Sequence, residues 1–395
     1  MRSRKLILAL LLMAALLFSF ARAEEARNIT SECEFLATKG SWTNLKMLYD
    51  NRYENYWQAA RAKNNYLEVH LPQGETCSGI QIKWAQINPD WCVEIKQGDE
   101  WVRVGGYEHD YLTTWTPLPD VTEFRIASHN YVADYMKISE LIVLSSGEIP
   151  SYIQIWEPTY EKADLLLVVA HPDDEYVFFG GLIPYYGTEL DKKVLVAYIT
   201  ESTFTRRTEL LDGLWTAGQR SYPLLGKFYD HYTMNLSDAY KKLGKPNTQR
   251  YMIELFRRYK PEVVVTHDID GEYGHGVHKV CADIVLNALN RSADAQYDKK
   301  SAEAFGTWDV PKCYIHLYEE DRITFDWHGM KLNAFDGTSA FDVADAAWRC
   351  HLSQQNTEYK VYTDGPYDSQ IFGLYRSLVG PDTQHTDFFE NLSME

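Results

Sequence analysis

Positive charge is scarce in this chain of 395 residues: 39 Lys and Arg stand against 56 Asp and Glu, a formal balance of −17. So acidic a surface has no general attraction for nucleic acid or an anionic membrane, and neither is an expected partner. Long apolar runs are equally scarce. The one run, Leu6 to Phe20, falls short of the roughly 20 residues that span a bilayer, and no later segment approaches it. No integral membrane segment is therefore expected in the mature chain. None of the six cysteines has the Cys-x-x-Cys spacing of a thiolate zinc site. No glycine-rich phosphate loop follows the first buried strand, which argues against a dinucleotide site. Aromatics, by contrast, are plentiful: 28 Tyr, 16 Phe and 11 Trp. Most serve cores, but on an acidic chain they also suit flat sugar-stacking surfaces. A 45% hydrophobic content and this length fit two folded domains.

Residues 1–23 read as a secretory signal peptide. Arg2, Arg4 and Lys5 precede the apolar run, and Ala21-Arg22-Ala23 supplies a small-x-small site for cleavage after Ala23. The protein is therefore expected to be secreted or extracytoplasmic, where disulfides are permitted. Cys33, Cys77 and Cys92 fall early, and Cys281, Cys313 and Cys350 fall late. Either each half keeps a free thiol or one bridge crosses between halves, and the pairing is open.

From residue 27 to 148 the chain alternates with period two between turns. Tyr66 to Leu71, Gly79 to Trp84, Cys92 to Lys96, Trp101 to Val104, Phe124 to Ala127 and Ile138 to Val143 all read as strands. The pattern predicts an antiparallel β-sandwich. The order Leu48-Tyr49-Asp50-Asn51, Trp57, Tyr66 to Leu71, Gly79 to Ile82 and Ile138 to Leu141 resembles a discoidin-type (coagulation-factor C-type) module. The resemblance implies a jelly roll that binds glycans, and a structural Ca2+ near Asp50. Asn51 and Asn55 depart from the family pattern around that calcium.

Residues 149–161 contain Pro150 and Pro158 and read as a linker. Beyond them, 162–395 changes character. Leu165 to Ala170, Val194 to Ile199 and Val263 to Val265 are continuous apolar runs, as parallel strands buried on both faces require. Arg206 to Gly218 and Thr248 to Tyr259 fit helices between them. The alternation predicts an α/β domain, Rossmann-like, with a layered and mostly parallel sheet.

Functional groups in such sheets collect beyond the carboxyl ends of strands. The first strand runs into His171-Pro172-Asp173-Asp174-Glu175, and a later one into a segment bearing His275 and His278, which share a face of an opening helix. An imidazole and a carboxylate from one strand end with an imidazole from another make a three-ligand N/O site suited to zinc with an open position for water.

These segments resemble the LmbE-like/PIG-L family of zinc-dependent N-acetylglucosaminyl deacetylases. The His-Pro-Asp-Asp-Glu signature stands intact at 171–175, and Gly274-His275-Gly276-Val277-His278 matches the second signature. The resemblance implies that His171, Asp174 and His278 bind one catalytic Zn2+. It makes Asp173 the general base toward a zinc-activated water, and a cationic His275 the stabiliser of the oxyanion and a proton donor to the leaving amine. Tyr273 assists, and Arg206 touches the sugar, although Arg206 also suits a surface pair with Glu209. The implied substrate is an N-acetylated glycan or glycoconjugate of GlcNAc type. Val277 replaces the family's Asp between the two histidines, leaving His267, Asp268, Asp270 or Glu272 to substitute. That departure keeps open a glycan-binding protein with an impaired deacetylase-like domain. The ligand set alone also allows a zinc hydrolase of another amide or acetyl ester. His316, His328 and His351 have no partner spacing and read as structural.

Overall fold

The computed structural model describes residues 24–87, 89–130 and 136–393. The signal peptide expected at 1–23 lies outside the described residues. Among those described, no helix is long and apolar enough to cross a membrane.

The alternation of Asn65–His70 becomes a strict buried and half-buried rhythm that turns Leu67 and Val69 inward. Two antiparallel sheets result. One has the spatial order Glu34–Ala37, Asn65–His70, Glu123–Ser128, Cys92–Gln97, Glu100–Gly106. The other runs Trp57–Gln58, Lys137–Ser145, Cys77–Trp84, Thr113–Val121. The last of these strands contains Pro117 and Pro119, and its lack of alternation hid it from the sequence reading. Among the described residues it pairs only with Cys77–Trp84, and an edge strand tolerates residues that cannot donate. Asp50 gives no support to the calcium expectation: its oxygens accept from the Arg52 N–H at 3.1 Å and the Asn55 amide at 3.0 Å. The metal-competent side-chain groups among the described residues do not include it.

In the second half, all five residues of Leu165–Val169 are buried. This strand is flanked by Val194–Tyr198 and Val263–Thr266, then Lys312–His316, all parallel, before Ile371–Ser377 and Arg322–Thr324 close the sheet antiparallel. Alternate residues explain why both faces must be covered. Leu166 and Val168 pack with helices Lys245–Tyr259 and Gly276–Leu289, while Leu165 and Leu167 pack with Phe204–Thr216 and Ala340–Trp348.

The two halves share one apolar core, in which Trp84, Trp91 and Leu112 join Trp156, Tyr222 and Leu214. Tyr111 stacks on Tyr222 at 4.1 Å, and the Leu112 N–H donates to the Tyr222 hydroxyl at 2.9 Å. All six cysteines are free thiols, so no bridge crosses between the halves.

Candidate active site

The first buried strand delivers the signature to the edge of the sheet, and a strained turn fans its carboxylates apart. Asp173 has φ of 112°, a conformation that side chains rarely adopt. Its N–H donates to Glu175 Oε2 at 2.8 Å, and Glu175 Oε1 lies 3.0 Å from His351 Nε2. Asp174 opens the short helix Asp174–Val177 and turns back, so that its Oδ2 accepts the His171 N–H at 2.7 Å.

The second histidine pair arrives on helix Gly276–Leu289, with His275 just before it and His278 in its first turn. Behind them lies Glu272, almost wholly buried, whose carboxylate meets the Nδ1 atoms of His267 and His278 at 2.7 Å and of His316 at 2.6 Å. Burial opposes charge on Glu272, but His267 and the hydrogen bonds of the three histidines outweigh it and hold its pKa well below the usual range. Facing an ionised carboxylate, His278 Nδ1 must donate. Burial holds the His278 pKa below its ordinary value and favours the neutral ring, so its Nε2 carries a lone pair, buried without a hydrogen-bond partner and 3.6 Å from Asp174 Oδ1.

Two acceptors facing each other across a buried gap call for a cation between them. The ligand atoms of His171, His275 and His278 lie within 4.8 Å of one another, as do those of Asp174, His267 and His278. His267 is the poorest candidate, since its Nε2 already accepts the Ala170 N–H at 3.1 Å and its Nδ1 is held by Glu272. The residues that remain, with nitrogen and carboxylate donors, fit a borderline metal such as zinc.

The electrostatics are those of crowded buried charge. Burial disfavours the Asp174 anion, but His278 and His171 overcome it and keep its pKa well below normal. Burial likewise disfavours a charged His171, yet Asp174 and Asp230 raise it to about 10, so a metal must displace that proton to bind there. Burial lifts Asp173 to about 7 against the pull of Arg206. For His275 the surroundings oppose the cation that the resemblance implies. Burial, with His171 and His278 alongside, pushes it down to about 3, so its imidazole is neutral at ordinary pH.

Arg206 does not pair with Glu209, which accepts from Ser353 instead. Its Nη2 lies 3.0 Å from Asp173 Oδ1 and also donates to the Pro172 carbonyl, at the wall of a cavity of about 190 Å3. Tyr273 lines the same cavity, its ring 5.5 Å from that of His275. No spacing in the sequence marks Asp230, whose Oδ1 lies 3.2 Å from His171 Nε2, and His316 and His351, structural by their spacing, brace the site from behind. Val277 is buried in the apolar cluster beneath its helix. Glu272, one of the proposed substitutes, supports His278 rather than His275.

An N/O metal pocket with a perturbed carboxyl beside it, at the strand ends of an α/β sheet, is the kind of centre that hydrolases build. Residues 166–289, which hold both signatures, match the family described as PIG-L, GlcNAc-PI de-N-acetylase. Over 176 residues the chain is 30% identical to a 1D-myo-inositol 2-acetamido-2-deoxy-alpha-D-glucopyranoside deacetylase from Saccharopolyspora erythraea, covering 38% of this chain and 63% of that one. Among solved structures, N,N'-diacetylchitobiose deacetylase from Pyrococcus horikoshii aligns with 49% of this chain and 71% of its own, at 16% identity and TM-score 0.38. A family 32 carbohydrate-binding module of C. perfringens, solved with galactose, aligns with 30% of this chain and 98% of its own, at 20% identity and TM-score 0.26. At such TM-scores neither structural likeness bears on function.

Proposed function

We propose that the protein is a secreted, zinc-dependent N-deacetylase that removes acetyl from N-acetylated amino sugars of GlcNAc type. The observation that carries this reading is the buried gap between His278 Nε2 and Asp174, with the Asp173 carboxyl raised to about 7 next to it. The family match over both signatures supplies the acyl chemistry. In this reading residues 162–395 form the catalytic domain, Rossmann-like in type. Residues 27–148 form a jelly-roll glycan-binding module, with 149–161 as the linker.

His171, Asp174 and His278 would hold the zinc, which when bound supplies a Lewis acid and lowers the pKa of water to roughly 7. Asp173 accepts the proton of the attacking water, and Arg206 fixes the rotation of that carboxyl. A carboxyl with a pKa of about 7 can also return the proton to the leaving amine. A neutral His275 cannot serve as that acid, but its N–H can donate to the oxyanion that develops on the acyl oxygen. Tyr273 and Arg206 border the space where the sugar lies.

The test is acetate release from N-acetylglucosamine and N,N'-diacetylchitobiose, read beside metal content. Asp173→Asn should lose about 10²–10⁴ in turnover and keep its metal. His278→Ala should lose the metal itself. Unchanged turnover in Asp173→Asn would remove that residue from the mechanism.

A further inference from the structure

The helix that brings Arg206 to the cavity is gripped from the other side by the N-terminal sandwich. Asp212, six residues after Arg206 on Phe204–Thr216, lies 2.6 Å from the ammonium of Lys83, which projects from sandwich strand Cys77–Trp84. The Tyr53 hydroxyl accepts from Lys83 and donates to the other Asp212 oxygen, both at 2.6 Å, and the Gln154 amide adds a further donor. The side chains of Lys83 and Asp212 are only 8% and 17% exposed, so this charge pair sits in a largely dry seam. Seven residues before Asp212, and so on the same face two turns away, the Thr205 hydroxyl donates to the Tyr53 carbonyl at 3.2 Å. The Tyr56 ring meets the edge of Phe204 at 5.7 Å. The other flank of the helix faces the site through Arg206 on Asp173.

A buried ion pair adds little net stability, because desolvation offsets the attraction, and the best-attested use of such a pair is to fix register. Resting on the catalytic reading above, we propose that Lys83 and Tyr53 of the sandwich are positioning residues for the reaction. They set the azimuth and the axial position of the helix, and through it they place the Arg206 guanidinium on the Asp173 carboxyl. The sandwich is then part of the catalytic apparatus as well as a candidate glycan module. Its hold on the helix decides whether the general base is correctly turned.

The decisive experiment is a double-mutant cycle on the full chain. Lys83→Met should lower kcat/KM for N,N'-diacetylchitobiose about tenfold at unchanged metal content, since a small misplacement of a catalytic group is costly. In an Arg206→Ala background the same change should cost less than about twofold, because its route of action is gone. Equal losses in both backgrounds would reduce Lys83 to a general structural role and overturn the inference. If Lys83→Met does not fold, Tyr53→Phe, which removes one bridging hydroxyl, enters the same cycle with the same expectation. Hydrogen exchange supplies a readout independent of turnover. Amides of 204–216 should exchange about tenfold faster in the variant, with those of 276–289 unchanged. Uniform or absent acceleration overturns the inference even if the wild type deacetylates nothing, an outcome that would separately sink the proposed function.

Discussion

Asp173 combines two costs, a left-handed backbone and a buried carboxyl, and both can be read out in solution. Only its ionised form accepts a proton, so kcat/KM should climb with pH through about 7 and level off above it. A pH–rate profile without that acidic limb would deny Asp173 its role. Stability should move the opposite way. The folded carboxyl keeps its proton to about 7 and the unfolded one only to about 4, so between those values the native state binds more protons and loses stability as pH rises. Asp173→Asn, with a side chain that tolerates positive φ, should therefore melt above the wild type at pH 8 and level with it at pH 4. Residue identities at this site were legible in the sequence because the signature is contiguous. The charge of His275 was not, since it depends on burial and on two histidines that only the fold brings near.

Among the elements, the loop that presents Glu272 matters most. One carboxylate orients three imidazoles, of which only His278 faces the proposed metal. Glu272→Gln should weaken zinc affinity about 10–100-fold while the helix behind it persists, as competition with a chelator would show. Unaltered affinity would mean that packing alone holds the His278 tautomer. The buried parallel strands and the helix ending before Pro261 followed from apolar runs and a proline stop. The bracing histidines did not, because His316 meets Glu272 across 44 residues and His351 meets Glu175 across 176. No local spacing can encode such pairs.

At the scale of the whole molecule, the change from antiparallel to mostly parallel strands was readable from periodicity, while the seam between the two halves was not. Tyr222, Trp156 and Leu214 share a core with sandwich residues, so heating should give one calorimetric transition rather than two. Residues 150–395 expressed alone should aggregate or melt well below the full chain, and a free-standing second half of equal stability would contradict the shared core. All six thiols should react with a thiol reagent after denaturation without reductant, since none is paired.

The His351 contact with Glu175 also fixes a schedule. A ribosome that has delivered residue 300 has already made every candidate ligand, yet neither His316 nor His351. The turn that holds Asp173 against its preferred backbone then lacks its far support, and Glu272 lacks one of its three imidazoles. Competence in the proposed reaction is therefore expected only once His316 and His351 have docked. A nascent or C-terminally clipped polypeptide would carry the signature without being able to use it.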